Sequence, residues 1–116
     1  KALTSRSRIE AFRAIGNKAG IATAEMLDFF ERFDVEKYGS EGGPLHDPNV
    51  IVYLLRPEFY KGKYVNVEIE VESDLTRGMT VVDWWSVTTR KKNVYYINSV
   101  KDKEFFHFLI ERIKLL

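Results

Sequence analysis

The chain has 116 residues, a formal net charge of +1, 45% hydrophobic and 30% charged positions. That length supports one domain with one core, and the mixture of apolar and charged residues belongs to folded rather than disordered chains. Nearly balanced charge gives no long-range field toward nucleic acid or an acidic membrane surface, and the absence of cysteine excludes disulfides, thiolate metal sites and a cysteine nucleophile.

Because cysteine-free chains fit a reducing compartment, a cytoplasmic location is expected. No apolar run approaches the length of a membrane span, so no membrane partner is expected either. Arg90-Lys91-Lys92 is the one basic run. Without an aromatic platform at a suitable spacing it reads as a solvated loop, and nucleic acid is not an expected partner.

In chain order, Ile9, Phe12 and Ile15 recur at helical spacing across residues 5–15, and Gly16-Asn17 supplies a stop. Thr23 is read as the N-cap of a second helix running to Lys37, with Met26, Phe29, Phe30 and Phe33 on an apolar face expected to enter the core. Gly39 and Gly42-Gly43-Pro44 then build a tight loop that ends at His46. Asp47-Pro48 reads as N-cap and first helical position, because proline lacks the N–H that would be unpaired there. The helix it opens carries Val50, Ile51, Leu54 and Leu55 and is closed by Arg56-Pro57.

Residues 64–72 alternate apolar and polar, as a half-exposed strand does. Glu68, Glu70 and Glu72 share its polar side, about 7 Å apart, and read as a solvated face rather than a cation site. A turn from Leu75 to Gly78, a second strand over 79–85 and a third over 94–98 follow. Asp102 is expected to cap a last helix bearing Phe105, Phe106, Leu109, Ile113 and Leu116, with His107 at its surface. The fold class is therefore α+β: helices plus a small three-stranded sheet, in a single domain over residues 1–116. The first helix has no preceding strand to pack it, and the helices carry more apolar surface than three short strands cover. Both point to further chain upstream.

No G-x-S-x-G elbow, P-loop or G-x-G-x-x-G is present. What remains is His46-Asp47. An imidazole titrating near ~6.5 can donate and accept a proton close to neutrality, and the neighbouring carboxylate suits a hard cation such as calcium, which prefers oxygen donors. On the residues alone, Asp47 is equally explained as a cap and His46 as a loop residue.

A wider pattern adds to this. Leu27-Asp28-Phe29-Phe30, Tyr38-Gly39, Gly42-Gly43-Pro44-Leu45-His46-Asp47-Pro48, Tyr53-Leu54-Leu55-Arg56-Pro57-Glu58 and Leu75-Thr76-Arg77-Gly78-Met79-Thr80-Val81-Val82-Asp83 together resemble the carboxy-terminal portion of the inosine-uridine nucleoside hydrolase family, in order and across nearly the whole chain. The resemblance implies an open α/β sheet in the complete protein. It also implies hydrolysis of ribonucleosides to ribose and free base with one calcium ion, and assembly as a homodimer or homotetramer. Carried onto this chain, it implies His46 as the acid that protonates the leaving base, Asp47 as a calcium ligand, and Tyr38 as a wall of the base pocket. Asp34 stands one turn before Tyr38, where pyrimidine-preferring members often have glutamine.

The family's amino-terminal D-x-D-x-G-x-D-D cluster, which supplies the other calcium carboxylates and the catalytic base, has no counterpart here, and no D-x-D occurs. One carboxylate cannot retain calcium. The expectation is half a site, inactive without an amino-terminal half. The alternative is a non-catalytic truncated paralogue serving as an interaction or oligomerisation module.

Overall fold

A computed structural model describes residues 2–116, the side chains of Phe33 and Asp34 lying outside the described residues. The elements are β1 (Leu3–Thr4), α1 (Arg6–Arg13), α2 (Lys18–Tyr38), β2 (Gly43–Pro44), α3 (Pro48–Leu55), a 3-10 turn (Pro57–Phe59), β3 (Tyr60–Ile69), β4 (Thr80–Asp83), β5 (Val94–Val100) and α4 (Asp102–Ile113). They form two compact units, Lys1–Tyr60 with Val100–Leu116, and Lys61–Ser99. Helices with small antiparallel pairings make the chain α+β, as its pattern predicts. Among the described residues no helix is long and apolar enough to cross a membrane.

The first unit is built on the aromatic residues of α1 and α4. Ile9 and Phe12 of α1 and Phe105 of α4 are fully buried or nearly so, each such side chain contributing about 2 kcal/mol through removal from water. Phe12 meets the edge of Phe106, with ring centres 6.5 Å apart, and Phe59 meets Phe108 at 6.3 Å. Arg8 ties this layer together. Its guanidinium lies 4.1 Å from the Phe106 ring centre, donates to the Leu3 carbonyl at 2.7 Å and pairs with Asp102. Asp102 thus stands in the first turn of α4, with Lys101 at the cap position. Its carboxylate serves an ion pair instead of the capping role expected of it.

Helix α2 begins five residues before the expected Thr23 cap. Asn17 takes the role, accepting from the Gly20 N–H at 2.7 Å while its amide nitrogen donates to the Ile113 carbonyl. The buried stripe of α2 is Gly20, Ala24 and Leu27. Gly20 and Ala24 admit α1 closely, as a Cβ on Gly20 would stand 2.7 Å from the Phe12 carbonyl oxygen. Asp28 bridges the two helices through Arg6 and Arg13. Met26, Phe29 and Phe30, expected in the core, face outward at 65%, 75% and 47% exposure. The short side chains fix which face packs, so the aromatic ones take the other.

A strand that sequence patterning does not show precedes α1. Leu3 pairs with Pro44 and Thr4 with Gly43, antiparallel. Thr4 is fully buried and its hydroxyl donates to the Gly43 carbonyl at 2.8 Å. Gly42, at φ +154°, packs so tightly here that an added Cβ would stand 2.0 Å from the Thr4 carbonyl oxygen.

In the second unit the sheet order is β4-β3-β5, with Asn66 opposite Asp83 and Ile69 opposite Thr80. The expected strand over 64–72 stops at Ile69 because Glu70 turns back: its carboxylate accepts from the Glu72 and Ser73 N–H groups, which lower its pKa. Glu68 pairs with Arg90 at 3.3 Å. The three glutamates therefore do not converge, and no group of three potential metal ligands occurs among the described residues.

Gly42→Ala is expected to destabilise the protein by about 2–4 kcal/mol, measured as the shift of a urea unfolding midpoint. The Arg8 hydrogen bond holds the Asp102 carboxyl below its ordinary value of 3.8. The folded state then binds fewer protons than the unfolded one, so this stabilisation is complete above that value and is lost as pH falls through the lowered native one. Asp102→Asn should flatten the acid limb of the stability profile; an unchanged limb would contradict the coupling.

Candidate functional site

The loop from Gly42 to Asn49 is fixed by its backbone. The Leu45 N–H donates to the Ala2 carbonyl at 2.8 Å, extending the β1–β2 pairing. Where α3 begins, Asn49 N–H donates to the His46 carbonyl at 3.0 Å and Val50 N–H to the Asp47 carbonyl at 3.1 Å. Pro48 occupies the first helical position. Asp47 stands at the cap position with helical angles, φ −59° and ψ −44°, and its side chain makes no capping hydrogen bond. An ordinary N-cap has extended angles that swing its oxygen over the first turn. Here the carbonyls of His46 and Asp47 satisfy the first amides, which leaves the carboxylate unengaged.

His46 and Asp47 are exposed and line one open groove of about 470 Å³ with Met26, Leu27, Phe29, Phe30 and the flanking residues Pro44, Leu45 and Pro48. Neither side chain has a hydrogen-bond or ion-pair partner among the described residues. An apolar, partly aromatic wall thus faces an imidazole and a carboxylate. Such a groove can take a flat ring against the wall and present a proton carrier and an oxygen ligand at its edge.

The inosine-uridine preferring nucleoside hydrolase family model matches residues 1–107. The chain belongs to that family. An uncharacterized protein of Schizosaccharomyces pombe is 47% identical over 110 residues, which are 95% of this chain and 36% of the relative. The pyrimidine-specific ribonucleoside hydrolase RihA of an Enterobacter species is 42% identical over 106 residues, 90% of this chain and 34% of that protein. In three dimensions the chain superposes on a plant nucleoside hydrolase with a TM-score of 0.82 at 17% identity, covering 99% of this chain and 38% of the plant protein. The chain therefore spans about a third of the length of the relatives it matches, and its fold is part of the nucleoside hydrolase α/β fold.

Of the family's expected site residues, the structure brings His46 and Asp47 together. Tyr38, at the end of α2, is 64% exposed and carries Lys37 against its ring at 5.3 Å; it does not line the groove. The Asp34 side chain lies outside the described residues. The groove wall of Met26, Phe29 and Phe30 was legible only as an apolar helical stripe, which patterning assigns to a core. As a calcium site the residues here are insufficient. Calcium takes six to eight oxygens, and among the described residues Asp47 is the single carboxylate that lines the groove.

Because the Asp47 carboxylate makes no cap bond, Asp47→Ala should leave folding stability within about 0.5 kcal/mol of the parent. A loss above 1 kcal/mol in thermal unfolding, as expected for removing a working N-cap, would return the residue to a structural role.

Proposed function

We propose that this chain is the carboxy-terminal part of a ribonucleoside hydrolase that cleaves the N-glycosidic bond to give ribose and free base. The observation that carries the reading is the pairing of His46 and Asp47 in one apolar groove, both side chains unengaged while their backbone is pinned. His46 is the acid at the base side. As the bond between the anomeric carbon and the base nitrogen breaks, the electron pair leaves with the base, and an imidazolium proton delivered to that base stabilises its departure. Water adds to the anomeric carbon and gives its proton to a base that these 116 residues do not supply. Tyr38, which stands outside the groove, and Asp34 are assigned to the nucleobase side of the site in this reading on the family resemblance alone.

Asp47 is one ligand of a calcium ion whose other oxygens come from protein outside these residues, in keeping with the share of each relative that the chain covers. The same reading makes the whole protein a cytoplasmic homodimer or homotetramer of nucleoside salvage. Uridine and cytidine are the first substrates to test, since RihA is named as pyrimidine-specific.

The test is release of ribose from uridine, cytidine and inosine, with calcium or with a chelator, by the 116-residue chain and by the protein with its upstream segment. The longer protein should be active and calcium-dependent, and the short chain inactive. In the longer protein His46→Ala should lower kcat by about 10²- to 10⁴-fold, while Asp47→Asn should raise the calcium concentration needed for half-activity. A longer protein that folds yet releases no ribose from any of the three nucleosides would favour the non-catalytic module.

A further inference from the structure

The loop that carries His46 and Asp47 is braced from behind by two residues that its motif does not include. The Asn49 side-chain amide donates to the Leu45 carbonyl, four residues back. Its own oxygen accepts from the Tyr60 hydroxyl at 3.0 Å, the nearer of two Asn49 acceptors for that proton, the main-chain carbonyl lying at 3.3 Å. A backbone carbonyl can only accept, so the amide nitrogen must face Leu45 and the amide oxygen must face Tyr60. The orientation of the amide is therefore fixed by its two partners. Tyr60 is in turn packed in place: it is 8% exposed, and Tyr53 packs edge-on against it with ring centres 5.4 Å apart. Burial pushes its phenol up to about 12, so it remains a donor at any physiological pH.

Both proposed functional residues lie between the carbonyl that Asn49 grips and Asn49 itself. The backbone bond from Asn49 N–H to His46 O closes the same short arc. We infer that Asn49 and Tyr60 are positioning residues, a buried phenol setting an amide that holds His46 and Asp47 in the relative placement their chemistry requires. This rests on the reading of His46 and Asp47 given above. Displacements near 1 Å at a reacting group can cost about a hundredfold in rate, whereas a brace serving only the fold would affect stability alone.

The experiment uses the full-length protein containing this chain, with ribose release from its best nucleoside followed against substrate and calcium. Asn49→Ala should lower kcat about 10- to 100-fold and raise the calcium half-saturation point. Asn49→Ser should recover most of both, because a serine hydroxyl can donate to the carbonyl four residues back. Tyr60→Phe, which keeps the ring and loses the hydroxyl, should fall between them. Should Asn49→Ala fail to fold, the serine and phenylalanine variants carry the same reading.

Lower melting temperatures with kcat and calcium dependence unchanged would overturn the inference in favour of a purely structural brace. Equal losses in Asn49→Ala and Asn49→Ser would also overturn it, as the donor would then be irrelevant. His46→Ala and Asp47→Asn in the same assay separate the two proposals. If those lower activity and Asn49→Ala does not, the brace alone is wrong. If they leave activity intact, the site assignment fails and the brace with it.

Discussion

The antiparallel contact between two-residue strands, Leu3–Thr4 and Gly43–Pro44, is the constraint on which the site depends. Two-residue strands contribute little pairing energy, so their strength comes from burial and lack of alternatives. Thr4 is fully buried and among the described residues its hydroxyl is satisfied by the Gly43 carbonyl alone; separating the strands would leave an unpaired polar group in the interior. The missing Cβ at Gly42 lets the backbones approach closely enough for this pairing. From that point Leu45, His46 and Asp47 have nowhere else to run, and α3 starts where Pro48 allows it.

The same logic explains why the groove has chemical potential. Backbone hydrogen bonds and the Asn49 side chain satisfy the loop and the opening of α3, so the side chains of His46 and Asp47 are not consumed by structure. Several other carboxylates are engaged: Asp28 by two arginines, Asp102 by Arg8, Asp83 by the Val87 and Thr88 amides and the Thr88 hydroxyl. Asp47 and His46 share their lack of partners with other exposed charged groups, and what sets them apart is the apolar groove that they line together. An unengaged carboxylate beside an unengaged imidazole against an apolar wall fits a group kept for a ligand.

The apolar surfaces tell a compatible story. Met26 and Phe29 on α2 and Val50, Ile51, Leu54 and Leu55 on α3 are each at least 59% exposed. Several large apolar side chains exposed on one helix mark an interaction face. In the proposed complete hydrolase, with relatives roughly three times as long as this chain, such faces would meet further protein.

Local chemistry made much of this readable in the sequence. The α+β class followed from periods of helix and strand and the start of α3 from Asp47-Pro48, whereas His46-Asp47 stood out through the wider motif that resembles the family, not through the composition of the loop. Tertiary structure decided the rest, for identifiable reasons. Periodicity marks a helix as two-sided but does not say which side packs, and on α2 the Gly20-Ala24-Leu27 side won because small residues let α1 approach. Asp47 and Asp102 carry the composition of caps, yet whether a carboxylate caps depends on backbone angles and on what arginine lies nearby, which only the folded chain fixes. Thr4 and Gly43 are 39 positions apart, and Leu45, Asn49 and Tyr60 meet only once α3 has formed and β3 has started. Residue types supply an imidazole and a carboxylate side by side; only the packing of α2 against the loop sets them beside an apolar wall.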